Sequence, residues 1–254
     1  MKAAALPVRP TAALATGLCA LAVVLTGAAP AAADRLVIDF SDDGSFAVRT
    51  IQLLAIVTLL GLVPGLAIMI TCFPFMVTVL AILRQALGLP QSPPNMLIVS
   101  LALFLTWFVM EPVFMAAWAA GVEPLGAGEI DPEEAFARAI EPFRIFMAAR
   151  VDPATFTALA ALRDDPGTLD PAPEAALSVL VPAFMLSEIA RAFQIGFLIF
   201  LPFLVIDLVV AAVLMSMGMM MVPPAVVALP FKLSFFVVAD GWSLIAAALV
   251  RGYV

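Results

Sequence analysis

The sequence predicts an all-α membrane protein in which kinked helical hairpins flank a small soluble insert. Hydrophobic residues make up 64% of the 254 residues and charged residues 12%, whereas soluble domains are nearer half apolar and a quarter charged. The apolar residues form long runs, and about 20 helical residues suffice to cross a bilayer. The acids instead concentrate in residues 121–176, which carry eleven of the nineteen.

Residues 1–33 match the pattern of a secretory signal peptide. Lys2 and Arg9 supply a basic start, residues 11–29 are small and apolar, and Ala31-Ala32-Ala33 supplies a cleavage site before Asp34. The alternative is an uncleaved first transmembrane helix. Cleavage predicts an exported N-terminus, with residues 34–45 as an exposed acidic lead-in.

Residues 46–120 are predicted to form a first helical hairpin region. Phe46–Leu83 is almost wholly apolar, and Pro64-Gly65 and Pro74 are expected to break it because proline removes a backbone donor. A second apolar run, Met96–Ala120, contains Glu111-Pro112. A carboxylate at membrane depth is costly, so we expect Glu111 to face protein or water.

Residues 121–176 are predicted to be a soluble insert, and residues 177–254 a second helical hairpin with a methionine-rich loop. In the insert, apolar residues recur at helical spacing along Glu133–Ala149, which predicts an amphipathic helix. An exported N-terminus followed by four crossings places Arg84 inside and the insert outside. This arrangement agrees with the positive-inside rule.

The composition excludes several classes of function. No histidine is present, which excludes Ser-His-Asp triads, H-E-x-x-H zinc sites and histidine proton shuttles. No basic stripe is available to neutralise phosphates, so nucleic-acid binding is not predicted. We therefore predict no enzyme activity, no cofactor and no metal site.

Charged residues within the apolar runs are candidates for ion pairs or for an ion pathway. Glu188 and Arg191 are three residues apart and can pair on one helix. Asp207 and Lys232 lie on opposite arms of the second hairpin, so they can pair within one chain or between subunits. Because acids and bases balance in residues 177–254, structural pairing is favoured over a proton relay. The full set is Glu111, Glu188, Arg191, Asp207, Lys232 and Asp240.

A methionine run is the most unusual feature of the chain. Five of the seven residues in Met215–Met221 are methionine, a flexible side chain with a soft sulfur. The alternatives are an apolar helix end, a copper site and a deformable seal; methionines at adjacent helix positions diverge, which disfavours copper. A seal requires several copies, hence a homo-oligomeric ring. The predicted gasket residues are Met217, Met219, Met220 and Met221, and the predicted hinge residues are Gly218, Pro223 and Pro224.

Five segments of the C-terminal third resemble the FliP family of export-gate proteins from flagella and related type III secretion systems. The segments are Pro182–Glu188, Ala192–Phe203, Met217–Pro224, Leu229–Lys232 and Asp240–Trp242. The resemblance spans roughly residues 51–242 and is weakest in the insert.

The resemblance implies a place and a set of partners. Family members form a ring of about five copies with the FliQ and FliR proteins. The ring joins FlhB and FlhA in the flagellar basal body of the bacterial inner membrane. The resemblance further implies hairpins stacked into a helical, closed pore, much of it raised above the bilayer plane. It also implies a methionine gasket around that pore, with Glu188 and Lys232 at subunit contacts. The insert would lie on the periplasmic side.

The leading hypothesis is a non-enzymatic pore subunit that passes unfolded flagellar proteins across the membrane. The alternative is a proton- or ion-coupled small-solute transporter that uses Glu188, Asp207, Lys232 and Asp240. An intramembrane hydrolase is disfavoured, because the chain has no histidine and no recognisable nucleophile motif.

Overall fold

The computed structural model describes residues 46–89, 91–163 and 170–253, and every regular element in these ranges is a helix. The all-α prediction is confirmed for this part of the chain. The predicted signal peptide and lead-in, residues 1–45, lie outside the described residues. The chain divides into two compact units, residues 1–56 and 57–254. The described part of the first unit is the beginning of helix α1 (Phe46–Met69), and the later helices of the described ranges belong to the second unit.

Helix α1 and helix α2 (Phe73–Ala86) divide the first apolar run. The predicted break at Pro64-Gly65 is wrong, because α1 continues through both positions. The chain turns instead at residues 70–72, where the Thr71 hydroxyl donates to the carbonyl of Ile68 (2.9 Å) and accepts from the amide of Phe73 (3.4 Å). Such local side-chain bonds compete with the helical ladder. The predicted break near Pro74 is confirmed, since this proline lies in the first turn of α2.

The second apolar run forms a single rod that extends past the predicted boundary at residue 120. Helix α3 (Asn95–Ala117) continues through a π-helical turn (Trp118–Val122) into the short helix α4 (Glu123–Gly126). Pro112 is accommodated inside α3. At Gly121 a Cβ atom would lie 2.5 Å from the carbonyl oxygen of Ala135. Only glycine therefore permits the close crossing of the rod by the next helix.

Beyond α4, the described part of the insert contains two helices, each with a proline in its first turn and an aspartate cap. Helix α5 (Pro132–Ala148) confirms the predicted amphipathic helix to within one residue, whereas helix α6 (Pro153–Ala160) was not predicted. The Asp152 carboxylate accepts from the amide of Thr155 (2.8 Å) and from its hydroxyl (2.7 Å). These bonds favour the charged form and lower the pKa of Asp152.

The C-terminal region begins with helix α7 (Leu177–Ser216), an uninterrupted helix of 40 residues. Helices α8 (Pro224–Val238) and α9 (Gly241–Arg251) follow, with a bend of 62° between them. Helix α2 packs along α7, where a Cβ atom on Gly196 would lie 2.4 Å from the side chain of Ile82. The glycine lets the two helix axes approach closely.

Two apolar clusters hold the second unit together. The larger joins buried side chains of α2 and α3 to α7, α8 and α9. The smaller fixes the insert to the start of α7 and contains Met147, Phe156, Leu180 and Phe184. The insert therefore rests directly on the helix that leads to the methionine run.

Two helices of the described chain are long and apolar enough to cross a membrane. They are Asn95–Gly126 and α7, and the bent pair α8–α9 makes a third if it counts as one span. An aromatic stripe runs along α7, but only part of it is covered by the chain itself. Phe203 is buried, whereas Phe193 and Phe197 are about 60% exposed. Those two rings are left for lipid or for another protein.

Candidate functional site

The methionine segment, defined here as Met217–Pro223, is a tight loop between α7 and α8. Gly218 has φ +76°, its amide donates to the carbonyl of Met215 (3.1 Å), and the amide of Met219 donates to that of Leu214 (3.0 Å). This is the Schellman motif that ends many helices. Nothing lies within 4 Å of a Cβ atom built on Gly218, so backbone conformation alone requires glycine there.

The methionine side chains of the segment are exposed in the single chain. Met220 and Met221 are 84% and 97% exposed, Met217 67% and Met219 41%. Pro223 caps α8 and Pro224 is its first residue, a position where proline's missing amide costs nothing. The structure thus places the four predicted gasket residues and two predicted hinge residues, Gly218 and Pro223, on one loop, and the third hinge residue, Pro224, begins α8.

An apolar groove of about 590 Å³ runs between the second half of α7 and α8 and reaches the methionine segment. Every lining side chain is apolar. The lining residues are Val205, Ile206, Val209, Val210, Val213, Leu214, Met217, Met219, Val227 and Phe231. The segment and the groove together form a continuous apolar surface.

Asp207 and Lys232 form an ion pair within one chain. The Lys232 ammonium donates to the Asp207 carboxylate (2.6 Å) and to the carbonyl of Ala86 at the end of α2 (3.1 Å). Lys232 is 6% exposed, and the second oxygen of Asp207 is buried without a partner among the described residues. The sequence left open whether the pair lies within or between chains. Here it ties α2, α7 and α8 together.

Glu188 and Arg191 do not pair with each other; both instead hold the C-terminal residues of the chain. Glu188 is fully buried and accepts a hydrogen bond from the Tyr253 hydroxyl. Arg191 donates to the carbonyl of Gly252 (3.1 Å) and lies over the rings of Phe75 and Tyr253. The other Glu188 oxygen has no partner in the part of the chain that the structure describes.

Arg150, two residues after the end of α5, completes this contact and was missed by the sequence analysis. Its guanidinium donates to the carbonyl of Tyr253 (2.6 Å) and lies 4.1 Å from the centre of that ring. Burial lowers the pKa of Arg150, but an arginine remains charged at neutral pH. No pattern links residues 103 positions apart, so only the fold reveals the partnership. The four residues Arg150, Glu188, Arg191 and Tyr253 are called the C-terminal anchor.

Glu111 and Asp240 lie apart from both of these clusters. Glu111 is on an exposed face of α3. Asp240 is exposed at the bend between α8 and α9, in the left-handed conformation (φ 47°) that aspartate tolerates better than most residues. Of the six charged residues singled out by the sequence analysis, Asp207 and Lys232 therefore form an ion pair. Glu188 and Arg191 belong to the C-terminal anchor. Glu111 and Asp240 remain separate exposed acids.

Among residues 46–89, 91–163 and 170–253, no three cysteine, aspartate or glutamate side chains are placed to hold a metal ion. Cys72 is buried in the apolar core as a free thiol. The buried charged groups Glu188 and Lys232 serve contacts between helices and with the C-terminal residues, and the groove that reaches the methionine segment is apolar.

Comparison with known proteins decides the family. The profile of the FliP family matches residues 56–249. The chain is 47% identical over 242 residues to the flagellar biosynthetic protein FliP of Caulobacter vibrioides, covering 95% of this chain and 91% of that protein. It is 48% identical to the protein of that name from Rhizobium meliloti, covering 84% and 87%, and 44% identical to that from Bacillus subtilis, covering 84% and 96%. The chain belongs to the FliP family.

Membership in the FliP family confirms the resemblance noted from five C-terminal segments. FliP proteins are membrane components of the flagellar export apparatus and not enzymes. The matched residues include α2 to α8, the insert and the methionine segment. The family match therefore covers most of the elements described above.

Proposed function

We propose that this FliP protein is the pore-forming subunit of the flagellar type III export gate and passes unfolded flagellar proteins across the inner membrane. About five copies form a ring with the FliQ and FliR proteins, next to FlhB and FlhA in the basal body. Met217, Met219, Met220 and Met221 form a gasket that closes the resting pore. The insert lies on the periplasmic side.

The exposure of the methionine segment is the observation that carries this proposal. Four apolar side chains between 41% and 97% exposed stand next to a groove without polar lining. Covering one such side chain is favourable by roughly 1.5–3 kcal/mol. A single chain leaves this surface uncovered, whereas several copies around an axis cover it with one another.

The chemistry of methionine fits a seal that must open for varied cargo. Its side chain is unbranched and repacks readily. A ring of methionine side chains therefore fills the axis of the resting pore and repacks around an unfolded chain that passes through it. The backbone at each end of the segment is fixed, by the Schellman motif at Gly218 and by Pro223 and Pro224. A flexible side-chain layer on fixed supports is what a gasket requires.

The charged residues support a structural role more than a solute pathway. Lys232 and Asp207 are 2.6 Å apart, with the lysine buried and the carboxylate about one-third exposed. The Glu188 carboxylate is fully enclosed and bonded to Tyr253. A transporter needs ionisable groups along a cavity that water reaches. The groove that reaches the methionine segment contains none.

The test replaces the four gasket methionines by alanine in the complete export complex. We expect the complex to assemble with an unchanged number of subunits but to conduct ions at rest, because the smaller side chains no longer fill the axis. Ion conductance of the complex in lipid bilayers and the ion permeability of cells are the measurements. Met96 and Met115, which are 81% and 63% exposed on α3, supply the matched control.

If the location of the methionines matters and not their number, the complex with alanine at Met96 and Met115 does not conduct ions at rest. A tight complex with normal motility after replacement of the four gasket residues would contradict the gasket. A chain that stays monomeric beside its partners, as measured by native mass spectrometry, would contradict the pore.

A further inference from the structure

Helices α8 and α9 form one bent body, because the corner between them is tightly packed. The ring of Phe236 meets that of Trp242 edge to face, with the ring centres 5.4 Å apart. A Cβ atom built on Gly241 would lie 2.2 Å from the Phe236 ring, so a larger residue would displace that ring. Close-packed protein transmits a displacement and does not absorb it. The two helices, called here the α8–α9 body, therefore move together.

The α8–α9 body is fixed near its middle by Lys232. The Lys232 ammonium bonds to Asp207 of α7 (2.6 Å) and to the carbonyl of Ala86 at the end of α2 (3.1 Å). One turn later, Phe236 is buried, and its ring lies 6.3 Å from that of Phe203 in α7. Lys232 lies eight residues after the start of α8, about 12 Å along the helix at 1.5 Å per residue. This contact with α2 and α7 is called the pivot.

On one side of the pivot, the α8–α9 body carries the methionine segment beside an open groove. Helix α8 is continuous from the pivot back to Pro224, which directly follows the segment. Val226 and Phe231 are 69% and 59% exposed, and Ala228 is the one buried residue of this arm. The apolar groove of about 590 Å³ lies between the arm and α7. Open space beside the arm lets it shift without displacing a packed core.

On the other side of the pivot, the α8–α9 body ends at the C-terminal anchor. The carbonyl of Gly252 accepts from Arg191 (3.1 Å) and from Arg150 (3.4 Å), and the carbonyl of Tyr253 accepts from Arg150 (2.6 Å). The Tyr253 hydroxyl donates to Glu188. Within the described chain, no hydrogen bond joins residues 241–251 to another helix. The polar attachment of this arm is therefore concentrated in residues 252 and 253.

A second groove, of about 280 Å³, lies beside the start of α9. It is lined by Trp242 together with side chains of α2 and α3, among them Leu80 and Leu97. The start of this arm is therefore incompletely packed, whereas Leu249 near its end is buried. The arm is thus held chiefly at its far end, where the C-terminal anchor lies.

We propose that the C-terminal anchor is a latch that keeps the methionine segment in its resting position, with Arg150 as a positioning residue. The anchor fixes one arm of the α8–α9 body to the insert and to α7. Because the body turns as a unit about Lys232, fixing that arm also fixes the arm that carries the segment. Release of residues 252 and 253 frees both arms. The proposal rests on the proposed function in one respect, that the position of the segment decides whether the pore is closed.

Arg150 suits this role because it belongs to a part of the chain that is held independently of the α8–α9 body. The apolar cluster that contains Met147 holds the insert on the start of α7. Arg144 of α5 strengthens that contact, since its guanidinium donates to the carbonyls of Pro173 and Ala175 (2.9 Å each). Within the described chain, Arg144 makes bonds of the same kind as Arg150 but none to the α8–α9 body. The two arginines therefore separate stability of the insert from control of the segment.

Distances between spin labels in the complete export complex test the latch. The labels are attached at Leu198→Cys on α7 and Val226→Cys on α8, both of which are exposed, while Cys72 is buried. Labelled chains are diluted with unlabelled ones so that distances within one chain dominate. Arg150→Met is expected to shift the mean distance by about 1–2 Å, the size of helix shifts in other switching proteins, and to broaden its distribution. Arg144→Met is the matched control and leaves the distance unchanged.

Arg191→Met supplies a second release of the same end from a different helix. Arg191 lies on α7 and shares the Gly252 carbonyl with Arg150, so its loss also loosens residues 252 and 253. A label shift is expected in this variant, including the case in which Arg150→Met does not assemble. Resting ion conductance is measured on the same complexes. It is expected to rise in both anchor variants and to stay unchanged in Arg144→Met.

The possible outcomes separate the latch from the proposed function. A label shift in the anchor variants, without one in Arg144→Met, establishes the latch. A distance that stays unchanged in the anchor variants, or that changes equally in Arg144→Met, would overturn it. Shifted labels with unchanged conductance would uphold the latch and contradict the closing role of the methionine segment.

Discussion

The methionine segment and the buried charges distribute polarity in opposite ways. The segment places apolar side chains up to 97% exposed on the outside, while Glu188 and Lys232 lie inside at 0% and 6% exposure. In a soluble protein the reverse is normal. The buried charges hold one chain together through contacts made within it, although one oxygen each of Glu188 and Asp207 has no partner among the described residues. The methionine side chains, in contrast, are left exposed by the single chain. The difference separates residues that stabilise the single chain from residues that other copies would cover in the proposed ring.

Breaking the Asp207–Lys232 pair is expected to give the largest effect on the subunit. Lys232→Met leaves the Asp207 carboxylate without its cation. Because that carboxylate is one-third exposed, the cost is expected near the lower end of the roughly 3–5 kcal/mol found for buried pairs. We expect a lower midpoint of thermal unfolding in detergent and loss of subunit from the membrane. The double variant Asp207→Asn/Lys232→Met restores much of the stability, because no unpaired charge remains. A single variant as stable as the original chain would show that the pair contributes nothing inside the subunit.

The C-terminal anchor is expected to give an intermediate effect. Tyr253→Phe removes the hydroxyl donor to Glu188, and leaving a buried acceptor without its partner costs about 1–3 kcal/mol. The unfolding midpoint should fall, and protease cleavage near the C-terminus should accelerate as residues 252–253 detach.

Ser216→Ala is the matched control for the anchor. Its exposed hydroxyl bonds to the carbonyl of Val213 at the end of α7, and its removal should leave both measurements unchanged. Equal effects of the two variants would mean that the anchor is no stronger than an exposed hydrogen bond.

Changes in the methionine segment are expected to lower the stability of the subunit least. Gly218→Ala puts a side chain at φ +76°, at a cost of roughly 1–2 kcal/mol, and shifts the loop that carries the methionines. We expect a small fall in the unfolding midpoint and a clear increase in resting ion conductance. Gly126→Ala is the control, since that glycine is helical with nothing within 4 Å of an added Cβ. A conductance change of equal size in both variants would show that the loop conformation at Gly218 has no specific role in closing the pore.

Local sequence signals predicted the features that depend on neighbouring residues. The amphipathic spacing of Glu133–Ala149 predicted α5 to within one residue, and Gly218 with Pro223 marked the loop after α7. The sequence analysis was less accurate where two nearby signals could each end a helix. Pro64-Gly65 does not break α1, because one lost hydrogen bond is tolerated within 24 residues, while Thr71 ends the helix through its own side-chain bonds.

Long-range partners were beyond the reach of the sequence. Spacing suggested that Glu188 pairs with Arg191, yet each instead bonds to the C-terminal residues. Arg150 was not singled out, because nothing in residues 121–176 distinguishes it from the other three arginines there. Such contacts arise from how helices pack, which no local pattern encodes.

The sequence by itself determined the class of the protein, its apolar helices and the position of the methionine segment, because composition, helical spacing, glycine and proline act over a few residues. Only the tertiary structure decided which side of each helix is covered. Helix α7 is apolar on all sides, so its pattern does not separate a face toward lipid from one toward protein. The closed Asp207–Lys232 pair, the C-terminal anchor and the uncovered face around Glu111 are consequences of packing, in which residues far apart in the chain compete for the same buried space.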